Sequence, residues 1–242
     1  MWLAVLIGIS AAEAVTPDAL ETRLAGIDSL RSMREAEGAP SISSSEVRRA
    51  AGGTIVTGLE QVQGSPAAKA YGVAVLDVSI SLLWAAINDE TRHPGYTAVT
   101  YSELLHGRPC VSGRRVLQSL DAPMVGTRWW IGLPRSNDDL AQRSGGAVRE
   151  LVFSSTVDTD LVTSESGRAI ISSATPIGSS DGAWFLVALD SRHTYVEYYV
   201  QTDPGGRVSP RLASMFASRG VRGTITAIRK FAREGNPSCP IE

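Results

Sequence analysis

Apolar positions along this chain fall into two periodicities, and their order predicts the architecture. Leu20, Leu24, Ile27 and Leu30 recur at helical spacing behind Thr16-Pro17. That pair is a hydroxyl N-cap followed by a proline whose missing N–H is no loss at the first helical position, so a helix is predicted over residues 17–36. Gly38-Ala39-Pro40 and the serines up to Ser45 break it, and a short helix from Glu46 to Ala51 ends at Gly52-Gly53. The period then shortens. Residues 54–62 and 70–78 read as strands on either side of a Gly64-Ser65-Pro66 turn. Residues 79–88 return to helical spacing, with Ile80, Leu83, Trp84 and Ile87 on one face. Strand candidates follow at 97–105, 111–120, 127–133, 148–157, 168–177, 183–189 and 194–202. They are punctuated by His106-Gly107, Ser144-Gly145-Gly146, Ser166-Gly167 and Asp181-Gly182. The chain closes on a long amphipathic helix opened by Ser209-Pro210 and stopped by Gly235 and Pro237. Its apolar stripe runs through Leu212, Met215, Phe216, Val221, Ile225, Ile228 and Phe231, with a kink predicted at Gly220 and Gly223.

A sheet of that size has an apolar face to cover, and the terminal helix is the natural cover. The predicted fold class is therefore α+β, in the helix-grip arrangement: a curved antiparallel sheet wrapped around a long C-terminal helix, with an internal cavity between them.

One stretch carries a resemblance. Tyr198-Tyr199-Val200-Gln201-Thr202-Asp203-Pro204-Gly205-Gly206, followed by Ser209-Pro210 and the helix, resembles the aromatic strand, Asp-Pro-Gly-Gly turn and final helix of the StAR-related lipid-transfer (START) domains, within the superfamily that includes the birch-pollen allergen fold. Asp121-Ala122-Pro123 with Gly126-Thr127-Arg128-Trp129-Trp130, and Asn88-Asp89-Glu90-Thr91-Arg92, resemble further segments of that family, although Pro94-Gly95-Tyr96 stands where a Trp-Asp pair is usual. The resemblance spans about residues 44–235 and implies a domain that holds a hydrophobic molecule. Residues 15–43 are then an N-terminal helix and linker, and 236–242 a tail.

Composition narrows the function classes. The chain has 242 residues, 23 basic and 25 acidic side chains, and a net charge of −2. That balance speaks against a dedicated nucleic-acid binder. Two cysteines exclude a four-Cys zinc site, and three histidines form no spaced cluster. No metal or cofactor is expected. Leu3 to Ala12, followed by Ala12-Glu13-Ala14, has the form of a signal peptide over residues 1–14, lacking only a basic n-region. It predicts a secreted or periplasmic protein. Cys110 and Cys239 would then meet an oxidising environment, and whether they pair is left open. From Pro204 onward seven basic residues face only Glu234 and Glu242, an excess of +5. Arg222, Arg229 and Arg233 share one helical stripe there. They are either a solvated face or a surface for transient docking on an anionic membrane.

Catalytic motifs are missing. Gly178-Ser179-Ser180-Asp181-Gly182 has the spacing of a nucleophile elbow, but its flanks read as strands and Asp181-Gly182 as a hairpin turn. The expectation is a monomeric, non-enzymatic carrier of one lipid or sterol-like molecule. A cavity enzyme of the same superfamily, a cyclase or hydrolase, and a ligand-free structural envelope protein are the alternatives. Candidate ligand-binding residues are Glu103, Arg115, Arg128, Trp130 and Tyr199 on the strands, and Leu212, Met215 and Phe216 on the helix. Glu103 with an arginine would orient a hydroxyl or headgroup inside an apolar space.

Overall fold

The structure is a computed structural model that describes residues 15–63, 67–123, 125–206, 208 and 210–240, with the backbone alone over 210–218. Residues 1–14, expected to be a signal peptide, the expected turn at Gly64-Ser65-Pro66 and the side chains of Leu212, Met215 and Phe216 lie outside the described residues.

Three short helices come first: α1 (Pro17–Ala25), α2 (Asp28–Arg31) and α3 (Ser44–Ala51). Thr16 caps α1 by accepting the Ala19 N–H, and Gly26 closes it, so the single helix expected over 17–36 is two. Ser43 and Glu46 form a reciprocal capping box that starts α3 two residues earlier than expected. Strands β1 (Val56–Glu60) and β2 (Lys69–Leu76) lead to α4 (Ile80–Asn88) and a 3-10 turn at Glu90–Arg92. Then come β3 (Val99–His106), β4 (Arg115–Ala122), β5 (Gly126–Ser136), α5 (Asp138–Arg143) and β6 (Val148–Thr156). The chain ends through α6 (Glu165–Ser173), β7 (Thr175–Pro176), β8 (Ser179–Ala188), β9 (Thr194–Asp203) and α7 (Pro210–Glu234).

The nine strands form one sheet in the order β1-β2-β9-β8-β6-β5-β4-β3, with β7 added alongside β5. Every pairing is antiparallel except β5 with β7. Three sequence expectations fail locally. Residues 168–177 are mostly helix: Ser164 caps α6 through the Gly167 N–H, and Ile170 and Ile171, which read as strand residues, pack on Leu117, Trp129 and Ile131. The helix α5, capped by Asn137, was not expected. Asp181-Gly182 lies inside β8 rather than in a turn, and Gly182 leaves room for the Phe153 ring and the Tyr199 carbonyl. The same fact removes any nucleophile elbow, since Ser180 is a strand residue.

Both faces of the sheet are covered. On the outer face α1–α3 bury Leu20, Leu24, Ile27 and Val47 against Val73, Phe185, Val187 and Tyr195. Arg31 and Arg34 reach across that layer to Glu197, and Arg34 also to Glu150, with the Arg34 guanidinium 4.3 Å from the Phe185 ring centre. On the inner face α4 and α7 pack with Ala70, Ala74, Trp184, Val196 and Tyr198. The helix α7 can sit close because β2 presents Gly72 to it: a Cβ there would lie 2.6 Å from both Ile225 Cδ1 and Val221 Cγ1. The helical run of 25 residues continues through Gly220 and Gly223.

Candidate functional site

Strand alternation sends every second side chain of the central strands toward α7. From β4 these are Val116, Gln118, Leu120 and Ala122; from β5, Arg128, Trp130, Gly132 and Pro134. Leu151, Phe153 and Ser155 of β6 continue the wall, and Trp184, Tyr198 and Val200 complete it. Val221, Thr224 and Ile228 of α7 form the roof, and Ile87, Glu90 and His93 close one end. The space, partly open to solvent, measures about 370 Å³. Trp184 and Tyr198 stack with ring centres 4.2 Å apart, giving one wall a flat aromatic surface.

The closed end holds a buried ion pair. Arg114, only 1% exposed, directs Nε to Glu90 Oε2 at 2.8 Å and one terminal nitrogen to both Glu90 Oε1 and, at 3.0 Å, Asn88 Oδ1. Its other terminal nitrogen donates to the Val111 carbonyl at 3.0 Å. Beside it, burial holds the His93 imidazole below its ordinary pKa, against the opposing pull of Glu90. Its Nε2 lies 3.0 Å from the Ala86 carbonyl, which can only accept, so Nε2 carries a proton. Burial likewise pushes the Tyr198 phenol well above its usual value, against a hydrogen bond with Thr224.

This end is also where the chain is tied. Cys110, in the β3–β4 loop, is disulfide-bonded to Cys239 beyond α7, with Cα atoms 5.6 Å apart. Arg92 donates to the carbonyls of Gly235 and Asn236, and the Ser238 N–H to Asp89. The opposite end depends on Arg128. Its guanidinium donates to the carbonyl of Pro204 at 2.8 Å and to that of Val125 at 2.6 Å, joining the β4–β5 turn to the segment that leads into α7. That segment turns as the sequence predicts: Gly205 and Gly206 take φ of +68° and +66°, and the Gly205 N–H is accepted by Asp203 Oδ1.

The structure brings Arg128 and Trp130 to the cavity as expected, and places three other candidates elsewhere. Glu103 faces outward, opposite Leu117, where it accepts from Tyr101 and from Ser164, the residue that caps α6. It therefore seats a surface helix rather than a ligand. Arg115 neighbours the inward Val116 and so points to the outer side of β4. Tyr199 is also on the outer face, donating to the Glu37 carbonyl at 3.2 Å beneath Lys69. Its neighbour Tyr198 takes the inward position. The expected basic stripe changes as well: Arg229 and Arg233 both pair with Asp77, leaving Arg219, Arg222 and Lys230 along a groove with Tyr96 and Thr57, held by no ion pair among the described residues.

Sequence reasoning missed Gln118 and the Glu90–Arg114 pair as cavity features. Gln118 had a readable signal: it is the polar residue in the alternate series Val116, Gln118, Leu120, Ala122. No signal paired Glu90 with Arg114, because the hairpin geometry alone brings them together. Among the described residues no group of acidic, histidine or cysteine side chains could hold a metal ion. No helix among them is long and apolar enough to cross a membrane.

No protein-family model matches the chain, and no curated protein sequence matches it. Solved structures do. A STAR-related lipid transfer protein fragment from Xanthomonas axonopodis aligns with a TM-score of 0.60 at 20% identity, over 76% of this chain and 99% of that one. Human StAR-related lipid transfer protein 5 aligns with a TM-score of 0.60 at 13% identity, over 90% of this chain and 98% of that one. The fold is thus the START-like helix grip that the Tyr198–Gly206 stretch resembles. The expectation of a non-enzyme is corrected by a third structure, an aromatase/cyclase from Streptomyces sp. R1128, at 14% identity, a TM-score of 0.49, and 68% and 93% coverage. The lack of a catalytic motif in this sequence therefore does not establish a non-enzyme.

Proposed function

We propose that this protein binds and carries one lipid-like hydrophobic molecule in the cavity under α7. One observation carries the reading: a largely apolar, aromatic-walled space of about 370 Å³ between sheet and helix. Small-molecule sites generally fall at roughly 300–1,000 Å³ and combine apolar walls with a few placed polar groups. The fold neighbours described as lipid transfer proteins support the same ligand class. Titration of the purified protein with Nile red tests it. Saturable one-to-one uptake is expected, and Val200→Trp, which projects a large ring into the cavity, should abolish it while the protein stays folded. Uptake that is absent, or unchanged in Val200→Trp, would overturn the reading.

For delivery, the proposed acceptor is an anionic membrane met by the outward face of α7. Arg219, Arg222 and Lys230 support this, since each cation near an anionic surface contributes about 1 kcal/mol. Reversing all three to Glu should slow transfer to phosphatidylserine-containing vesicles and leave transfer to neutral ones unchanged; equal slowing on both would remove the membrane role. A secreted or periplasmic location is proposed on the strength of the Cys110–Cys239 bridge, because such bonds persist in oxidising compartments. Free thiols in protein isolated from its host without reductant would contradict it.

A further inference from the structure

Most polar groups along the cavity wall are engaged. Arg128 serves carbonyls at one end, and Glu90 serves Arg114 at the other. Ser180 and Thr202 bond each other at 2.9 Å, and Ser155 accepts the Ser180 N–H at 2.7 Å. Gln118 differs. Its side chain is 8% exposed, it lines the cavity, and its Nε2 has no hydrogen-bond partner. A buried amide without a partner is uncommon in native proteins and calls for an explanation.

Its surroundings supply one. Gln118 pairs across the β4–β5 ladder with Trp130, and Val116 pairs with Gly132, so Gly132 sits one inward position along from Trp130. A Cβ at Gly132 would lie 3.9 Å from Trp130 Nε1 and 4.0 Å from Gln118 Oε1. The absent side chain thus leaves a niche in the wall, bordered by an indole N–H and a carboxamide. No charged side chain borders it: the neighbours across the ladders are Val116 and Ser155.

We propose that this niche receives a single neutral oxygen of the bound molecule. A ligand hydroxyl would accept from the Trp130 indole and donate to Gln118 Oε1. A ketone would be met by the same indole and by the Gln118 NH2 after the carboxamide turns over, which breaks no bond to Nε2 because it has none. The ligand class is then a mainly apolar molecule with an alcohol or ketone placed about four residues, roughly 13 Å, along β5 from Arg128. A carboxylate at this position would lose its hydration with no cation to replace it. This rests on the carrier reading above and specifies its ligand.

The test uses three probes of nearly equal size: 2-isopropylnaphthalene, 1-(2-naphthyl)ethanol and 2-acetylnaphthalene. Each is titrated into wild type, Gln118→Leu and Gly132→Ala by fluorescence. Gly132→Ala fills the niche with a methyl at ordinary contact distance, its nearest neighbour being the Val116 carbonyl at 3.8 Å, so the fold is retained. Retained binding of the hydrocarbon certifies both variants. Relative to that hydrocarbon, each variant should bind the alcohol and the ketone about fivefold more weakly than wild type does, the loss of one or two neutral hydrogen bonds. If the oxygenated-to-hydrocarbon affinity ratio is the same in all three proteins, the niche is only a packing defect and the proposal falls. If no probe binds wild type saturably, the carrier reading falls with it.

Discussion

Two glycines on either side of the helix–sheet contact should respond to the same substitution with opposite sign. At Gly72 an added methyl would stand 2.6 Å from Val221 Cγ1 and Ile225 Cδ1. Carbon atoms prefer about 3.5–4.0 Å, so the contact is short by about 1 Å. Both opposing side chains are fully buried and have little room to turn away. Overpacking of this kind costs about 1–3 kcal/mol. The reduced backbone entropy of alanine offsets about 0.5–1 kcal/mol of that. The central net cost is about 1.3 kcal/mol, so Gly72→Ala should lower Tm by about 3–5 °C, given roughly 2–4 °C per kcal/mol for a chain of this size. Gly223 lies on the outward face of α7 with no atom within 4 Å of an added Cβ. There only the helical preference acts, and Gly223→Ala should raise Tm by about 2–4 °C. Differential scanning calorimetry of both variants beside wild type measures the two shifts together. An unchanged Tm in Gly72→Ala would show that α7 does not rest on β2 at that distance. Shifts of the same sign in both would show that backbone entropy alone is being measured.

Other consequences follow from the buried and bonded groups. Glu90→Gln leaves the Arg114 charge buried without its carboxylate and should destabilise by about 3–5 kcal/mol in urea unfolding, while Glu90→Leu combined with Arg114→Met should recover most of the loss. Replacing both cysteines with serine removes a cross-link across 129 residues and should cost up to about 5 kcal/mol, seen as a Tm lower by about 10–20 °C, and dithiothreitol should reproduce the shift in wild type only. Burial raises the Asp77 carboxyl, but Arg229 and Arg233 outweigh it and hold its pKa below the usual carboxylate value. The stabilisation is present above the unfolded-state pKa and is lost as pH falls through the folded one, so Asp77→Asn should destabilise by up to about 1 kcal/mol at pH 7 and hardly at all at pH 2.

The covering helix, the Asp203–Gly206 turn and most of the strands were readable in the sequence, because periodicity and turn chemistry are local properties; the short helices α5 and α6 between the strands were not. The inward face was not. Alternation divides a strand into two sets of residues but does not say which set meets the cavity. The usual clue, one apolar set and one polar, is erased in β9, where residues 194–199 are all buried because α1–α3 cover the other side. Tyr198 and Tyr199 are therefore equivalent in the sequence pattern, and only the packing of the two faces distinguishes the inward Tyr198 from the outward Tyr199. Glu103 misled for a related reason: a carboxylate in a strand suggests a buried partner, and it has one in the cap of α6, a helix whose paired isoleucines read as a strand.

The bond between Cys110 and Cys239 has a topological consequence. Residues 110–239 become a closed covalent ring, and that ring contains β4, β5, β6, β8, β9 and the roof helix. A linear chain cut once falls into two fragments, but a ring cut once merely becomes linear. A protease that severs the exposed end of α5 or the segment before α6 would thus leave the cavity-bearing part in one piece, held by its own circumference. Two cuts inside the ring are required to release a fragment from it. The α1–α3 segment has no such protection, since it lies outside the ring, and a single cut before β1 leaves it attached to the sheet only by non-covalent contacts.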